Sequence, residues 1–376
     1  MPTLHVFREQ RFADAAIEKF ERVSPGNGHY VILARTGFSF GVPTLTPRIQ
    51  QKSHKELIKE INHGRFNAIV FHSIGERAKR LILDIDECVP IAWIGWGFDY
   101  YSRLLKSKFN YPLGLLEPRT TKAYLSGREG AFYRYQRIVE SLRRVVSPQR
   151  LPPEKPWIDK VNIFSPVLRS EFHLIKKENP WLAAEFRQWG YGGVPSEPVA
   201  QYLKIAKSNI LIGNSATWTN NHLDVFEQVA LRNERTFERV IVPLAYGNPR
   251  VRSLVIDRGK YYFGKKFSPI LTELARRDYW ELLSTVHTFY FHNIRQQAMG
   301  SVNMAIMCGG NLVLNGRGLL YDELISRGVA CSTLDNPKCA TFDEKLALKN
   351  IKSQELFLLN TRSDRHTEEL LSSLVY

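Results

Sequence analysis

The sequence predicts an α/β protein of two Rossmann-like, doubly wound domains facing a cleft. Three observations predict it. In the first third, short β-branched or aromatic runs alternate with longer helical patterns; the pattern breaks in a proline-rich stretch from Ser147 to Pro198; after Pro198 the alternation restarts. Alternating strand and helix gives a parallel sheet with ligands at the carboxyl ends of its strands. A chain of 376 residues has room for two such cores.

In chain order, 4–7, 30–33, 68–72 and 90–95 read as strands from their β-branched and aromatic content. Segments 12–22, 53–62 and 76–86 read as helices from their apolar spacing. The broken region carries Pro148, Pro152, Pro153, Pro156, Pro166, Pro180, Pro195 and Pro198 with Gly190, Gly192 and Gly193, and holds one more apolar run, 162–167. It reads as a last unit of the first domain followed by a linker near 190–200. Strands are then expected at 209–213, 240–245, 261–263, 288–291, 311–314 and 330–333. The expected domains are therefore 1–195 and 196–360, with a C-terminal helix over 361–376.

Composition narrows the class. Lys and Arg outnumber Asp and Glu by 52 to 37, giving +15, while 44% of residues are hydrophobic and 12% aromatic. Such a chain buries enough apolar surface to offset its ordering entropy, which excludes disorder, and it is neither fibrous nor collagen-like. Four cysteines without a C-x-x-C pair give no disulfide framework and no zinc knuckle, pointing to a reducing compartment. The N-terminus meets Arg8 and Glu9 too early for a signal-peptide core, and the longest apolar stretch, 88–98, is shorter than the roughly 20 residues a bilayer crossing needs. A soluble or peripherally bound cytoplasmic protein is expected.

The positive charge is concentrated. Residues 101–150 hold eleven Lys/Arg against three acids, Glu117, Glu129 and Glu140. Phe132, Tyr133, Ile138, Leu142 and Val145 interleave with Arg134, Arg137, Arg143 and Arg144 near helical spacing, the pattern of a basic amphipathic helix. Such a helix suits an anionic membrane surface, and equally an ordinary surface helix whose apolar stripe faces the core.

Three strand ends are rich in polar groups. Strand 209–213 runs into Gly213-Asn214-Ser215 and Thr217-Trp218-Thr219-Asn220-Asn221-His222 before a helix at 223–231. Thr219 or Asn220 is expected to cap that helix, leaving its amides for phosphate or sugar. The next strand ends Tyr246-Gly247-Asn248-Pro249, where Tyr246 can stack on a base or sugar and Gly247-Asn248-Pro249 equally suits a turn before a helix. The strand at 288–291 ends His292-Asn293-Ile294-Arg295-Gln296-Gln297, placing a guanidinium and amides where a diphosphate would bind. In the first half, His72 and Asp99 stand at strand ends as candidate bases. Asp84-x-Asp86 mimics a metal–diphosphate signature, but it closes a helix in which residues two apart do not share a face, so no obligatory metal is expected.

These motifs resemble the 4-acetamido-4,6-dideoxygalactose (Fuc4NAc) transferases of enterobacterial common antigen synthesis, glycosyltransferase family 56. Residues 209–226 are similar to the family's G-N-S…N-N-H segment. Residues 242–248 and 292–298 resemble its next two signatures in the same order, and Trp96-Gly97-Phe98-Asp99-Tyr100-Tyr101 resembles a W-G-x-D-x-Y segment. Phe71-His72-Ser73 departs from the pattern in having serine for glycine. The resemblance implies a GT-B fold and transfer of Fuc4NAc from its TDP donor to an undecaprenyl-diphosphate-linked disaccharide (lipid II), by a peripheral protein at the cytoplasmic face of the inner membrane.

It further implies that Gly213, Asn214, Ser215, Tyr246, Arg295, Gln296 and Gln297 hold the donor, a substrate rather than a cofactor. Asn220, Asn221, His222, Gly247, Asn248, His292 and Asn293 complete the expected donor loops. Arg295 would stabilise the departing TDP, and Asp99 or His72 would meet the acceptor hydroxyl. By analogy with related folds, the last helical stretch, 364–375, crosses back onto the N-terminal domain. The alternatives are another sugar or pyruvyl transferase of the same architecture acting on a lipid-linked or polysaccharide acceptor, and a noncatalytic nucleic-acid-binding protein. No interleaved glycine–aromatic signature supports the last, so nucleic acid is not an expected partner.

Overall fold

Two parallel sheets organise the chain. The computed structural model describes residues 1–8, 13–33, 48–86, 88–146, 153–191, 208–232, 237–336, 344–362 and 364–374, with side chains for all of these except 140–146, 276 and 356–362. The expected linker near 190–200 lies almost wholly outside the described residues, as do the side chains of Leu142, Arg143, Arg144 and Val145.

The elements alternate as the sequence predicts. They run β1 (Thr3–Phe7), α1 (Ala13–Val23), β2 (Gly28–Leu33), β3 (Ile49–Lys52), α2 (His54–Asn62), β4 (Ala68–His72), α3 (Glu76–Asp84), β5 (Ile91–Ile94) and α4 (Phe98–Tyr101). Then come α5 (Pro118–Leu125), α6 (Arg128–Val146), α7 (Lys155–Ile158), β6 (Ile163–Ser165), α8 (Arg169–Glu178) and β7 (Glu185–Phe186). The second sheet begins with β8 (Asn209–Ile212), α9 (His222–Leu231), β9 (Val240–Pro243), α10 (Pro249–Phe263), β10 (Phe267–Ile270), α11 (Arg276–Ser284) and β11 (Val286–Phe291). It ends with α12 (Met299–Met307), β12 (Asn311–Leu314), α13 (Leu319–Ser326), β13 (Ser332–Thr333), α14 (Glu344–Arg362) and α15 (Arg365–Ser372).

The first sheet has strand order β3-β2-β1-β4-β5-β6-β7 and the second β10-β9-β8-β11-β12-β13. All pairings are parallel. Strands β1, β4 and β8 are buried along their whole length, as parallel strands covered on both faces must be. Strand order reverses between β1 and β4 in one sheet and between β8 and β11 in the other. Each reversal opens a crevice at the carboxyl ends of its strands, the usual ligand position in such folds.

Two expectations fail locally. Tyr261–Phe263 is the last turn of α10 and not a strand; the strand lies four residues on, at β10. Aromatic content there serves a helix: Phe263 packs edge-on against Phe226 of α9, and Gly264, with φ of 53°, ends the helix. The cap of α9 is neither Thr219 nor Asn220 but Asn221, whose own backbone is left-handed and whose side chain makes no capping bond.

The chain divides into two compact units that interleave in sequence. Met1–Lys108, Arg150–Gly192 and Leu359–Tyr376 form one, and Phe109–Gln149 with Gly193–Leu358 the other. Unlike the sequential division expected at 195, this one places α5 and α6 with the second sheet. The cause is specific. The first amides of α5, those of Arg119 and Thr120, donate to the Asp224 carboxylate of α9 at 2.8 and 3.1 Å, with the Thr120 hydroxyl at 2.6 Å, so a carboxylate sits at the positive end of a helix. Arg119 also pairs with Glu227.

In the first unit, α15 packs against α1: Leu370 and Leu374 share a core with Ala13, Ala16, Ile17 and Phe20, and the Trp189 indole N–H donates to Thr367 Oγ1 at 3.2 Å. Leu370 is fully buried. Leu370→Ala should therefore cost about 2–5 kcal/mol by removing its packing and leaving a cavity, read from the urea midpoint of the unit's unfolding.

Candidate functional site

The second unit gathers its polar loops around two adjacent amides. Asn220, fully buried, donates through Nδ2 to Ser215 O (2.7 Å), Ser215 Oγ and Thr217 Oγ1 (3.0 Å each). Its Oδ1 accepts from the Asn214 amide (3.2 Å) and from Asn293 Nδ2 and Gln297 Nε2 (3.1 Å each). One side chain thus ties the loop after β8 to the loop after β11. Asn221 does the same towards α5: Oδ1 accepts from the Glu117 amide (2.9 Å), and Nδ2 donates to His292 O (3.0 Å) and Leu115 O (3.3 Å). Asn221 holds φ 52°, ψ 36°, a conformation asparagine tolerates better than most residues.

The loop after β9 joins through backbone. Ala216 N donates to Tyr246 O and Asn248 N to Ala216 O, at 2.8 and 2.7 Å. Gly247, at φ 120°, allows this approach, since a Cβ there would lie 2.3 Å from Ala216 O. Gly213, at φ 71°, is constrained similarly, because a Cβ would meet His222 Nε2 at 2.5 Å. Asn248 caps α10, accepting from the amides of Arg250 and Val251.

This geometry sorts the expected donor residues. Asn220, Asn221, His222 and Ser215 are buried and bonded or packed internally, and Gly213, Gly247 and Asn248 shape the loops. The residues at the rim are Asn214, Thr219, Tyr246 and Arg295, with Gln297 buried behind them. Asn214 Nδ2 donates to Tyr246 Oη at 3.0 Å, Gln297 Nε2 to Asn214 Oδ1 at 2.9 Å, and Thr219 Oγ1 to Gln297 Oε1 at 2.8 Å. Tyr246 is 39% exposed, large for an aromatic ring at a strand end. Arg295 is half-buried and its Nη1 donates to Gln296 O at 3.2 Å. It lies four residues before α12, so it belongs to the loop and not to that helix's first turn. Asn293 Oδ1 and Gln296 Oε1 are buried with no hydrogen-bond partner among the described residues.

The site also contains residues that the sequence did not single out. Glu117 Oε1 accepts from Asn315 Nδ2 and Arg317 Nη2, both at 2.7 Å, and lies 3.7 Å from His292 Nε2. Burial works to raise the Glu117 carboxyl, but the hydrogen bonds from Arg317 and Asn315 outweigh it and hold the group below its ordinary range. Asn315 and Arg317 follow β12, a strand end that is legible in the sequence. Glu117 carries no local signal, being 198 and 200 residues from Asn315 and Arg317.

In the first unit, His72 and Asp99 are both internal. Asp99 is 3% exposed and accepts from the Ile74 amide (3.0 Å), the Trp96 amide (2.8 Å) and Trp93 Nε1 (2.9 Å). It clamps the loops after β4 and β5, and burial raises its carboxyl despite these bonds. His72 is fully buried: Trp96 Nε1 donates to Tyr191 Oη at 2.8 Å, Tyr191 Oη lies 2.9 Å from His72 Nδ1, and His72 Nε2 lies 3.2 Å from His5 Nδ1. The chain is satisfied when Tyr191 donates to Nδ1 and His72 Nε2–H donates to His5, both imidazoles being neutral. Asp84 and Asp86 bond His54 and Asn62 of α2, at 2.8 and 3.0 Å.

Residues 196–359 match the model of a family described as 4-alpha-L-fucosyltransferase glycosyl transferase group 56. Over these residues the chain is similar to group 56 glycosyltransferases. Solved structures share the architecture of the whole chain. Anabaena HepE, in complex with UDP and glucose, aligns with a TM-score of 0.63 at 10% identity, covering 99% of this chain and 100% of that one. The Burkholderia vietnamiensis alpha,alpha-trehalose-phosphate synthase (UDP-forming) aligns with a TM-score of 0.64 at 8% identity, covering 100% and 99%. An E. coli structure described as trehalose-6-phosphate bound with UDP-2-fluoro glucose gives 0.64 at 8%, covering 99% of each chain. At such identities the likeness is one of fold, and the fold is the two-domain GT-B type of glycosyltransferases.

Burial lowers His5 and His222 from the ordinary 6.5 to about 3, and His72 well below it, with His5 adding to the effect. Folded-state values are depressed, so the unfolded chain binds more protons below pH 6.5. The stability conferred by neutral burial is complete above that pH and is lost as pH falls towards 3. Melting temperature should therefore fall on acidification from pH 7 to 4.5, and His222→Phe should flatten part of the decline in a scanning-calorimetry series.

Proposed function

We propose that this glycosyltransferase moves Fuc4NAc from a TDP donor to an undecaprenyl-diphosphate-linked disaccharide at the cytoplasmic face of the inner membrane. The observation that carries the reading is the convergence of three polar loops at the carboxyl ends of β8, β9 and β11, inside the segment that matches group 56. A nucleotide sugar needs an aromatic or polar ledge and fixed donors for its diphosphate, and Asn214, Thr219, Tyr246, Arg295 and Gln297 supply both. The amides around Asn220 are already paired with one another, so the rim is preorganised and little ordering remains when the donor binds. Arg295 takes the charge that develops on the departing diphosphate. His72 and Asp99, enclosed within the first unit, act by holding the loops after β4 and β5, and the acceptor hydroxyl meets groups other than these two. No cofactor is invoked; the TDP sugar is a substrate.

The membrane assignment rests on α6. Phe132, Tyr135 and Ile138 are 59%, 64% and 60% exposed, so this stripe does not serve as core. Arg128, Arg134 and Arg137 are exposed on the same helix, a composition that seats apolar side chains among acyl chains and guanidinium groups among anionic headgroups. Among the described residues no helix is long and apolar enough to cross a membrane.

Two measurements test the reading. Calorimetric titration should show micromolar TDP binding in preference to UDP and GDP; Arg295→Ala should lower turnover by roughly 100-fold, in the range found for lost transition-state donors. Unselective nucleotide binding would keep the fold and discard the TDP donor. Vesicles containing phosphatidylglycerol should co-sediment the protein, and Phe132→Ser/Tyr135→Ser/Ile138→Ser should abolish this without changing TDP binding. Equal sedimentation of the variant would remove α6 from the membrane assignment.

A further inference from the structure

We infer that Glu129, which lies outside the segment that matches group 56, positions the donor ledge: its carboxylate holds Asn248 and Arg250, and through them presents the Tyr246 ring to the nucleotide base. The inference rests on the proposed donor site and adds to it a positioning residue from α6.

Backbone geometry fixes the hydrogen-bond roles. Asn248 Oδ1 accepts from the amides of Arg250 and Val251 at 2.9 and 3.4 Å, which identifies the other side-chain atom as the nitrogen. That nitrogen donates to Glu129 Oε1 at 3.2 Å, and Arg250 Nη1 donates to Glu129 Oε2 at 2.5 Å. One half-buried carboxylate thus takes both the cap of α10 and the second residue of that helix. Negative charge is favoured there, beside the positive end of a helix dipole. The Arg250 guanidinium packs on Gly127, where a Cβ would come within 2.0 Å of Nη1 and Nη2.

Glu129 is itself anchored. Gly130, next to it, packs on α5 so closely that a Cβ would lie 2.4 Å from Leu125 O, and Arg134 Nη1 donates to the same carbonyl at 3.0 Å. The first amides of α5 are bonded in turn to Asp224 of α9, so α6 starts from a fixed point of the second unit. On the other side of the contact, only Gly247, at φ 120°, separates Asn248 from Tyr246. The two backbone bonds from this loop both go to Ala216, and bonds to a single residue leave the loop free to tilt about it. Glu129 supplies the second attachment, from a different element. The Tyr246 ring is 39% exposed and within reach of a ligand, and its hydroxyl is held by Asn214. A ring whose plane is set in advance stacks on a base without a further ordering cost.

The test is calorimetric titration of the full chain with TDP in wild type, Glu129→Ala, Tyr246→Ala and the double variant. Tyr246→Ala should weaken binding roughly 10-fold by removing the stacking face. Glu129→Ala should weaken it roughly 5-fold, the scale of a lost bond at a partly exposed ion pair. The double variant should bind no more weakly than Tyr246→Ala alone, because a residue that acts through the ring has nothing to act on once the ring is gone. Glu129→Gln keeps the side-chain volume and one of the two acceptor oxygens, and should show a smaller loss of the same kind, so the reading survives a folding defect in Glu129→Ala. A purely structural role would lower the melting temperature of the Glu129 variants and leave their TDP affinity at the wild-type value; that result overturns the inference. So does a Glu129→Ala effect that persists undiminished in the Tyr246→Ala background. Both of these results leave the donor site intact, whereas absence of TDP binding in the wild type overturns the donor reading and the inference with it.

Discussion

Two neighbouring side chains, Asn220 and Asn221, carry the constraint on which the second unit depends. Neither has measurable exposure, and between them they pair the loops after β8 and β11 and the entry to α5. A buried amide is costly unless every polar atom finds a partner, so each satisfied bond makes the arrangement harder to replace by another. The rim residues Asn214 and Thr219, and Gln297 buried behind them, inherit their positions from this internal pairing. Function at the surface is thus bought by order one layer beneath it.

The same pairing explains why α5 and α6 belong with the second sheet although they precede it by some eighty residues. Asp224 caps the first amides of α5, and Asn221 takes the Glu117 amide just before it. The segment so anchored delivers Glu117 to the end of β12, where Asn315 and Arg317 receive it. It also presents α6 with Phe132, Tyr135 and Ile138 outward. A helix that reads equally as core or as surface is decided by what its preceding helix is bonded to.

In the first unit, polar strand ends are spent on internal cohesion. Asp99 draws together the loops after β4 and β5, and His72 completes a chain through Tyr191 to Trp96. Both stand where catalytic groups stand in many parallel-sheet enzymes, at carboxyl ends next to the reversal of strand order. Strand-end placement therefore identifies a neighbourhood, while the direction of the side chain decides between reactivity and support.

The sequence by itself determined the two parallel α/β sheets, because alternating strand and helix periods leave few other ways to bury these apolar runs. It also determined which loops after β8, β9 and β11 are polar, since seven polar residues between a strand and a helix exceed what a turn requires. Its errors came from local cues with two meanings. Tyr261–Phe263 has strand composition but finishes α10, because packing against Phe226 outweighs β propensity. Asn220, Asn221 and His222, expected in the donor loops, lie buried beneath them. The tertiary structure alone placed Glu117 beside His292 and chose α1 as the helix that α15 packs against. Such contacts span long loops whose closure depends on the summed energy of the fold, and no local pattern encodes them.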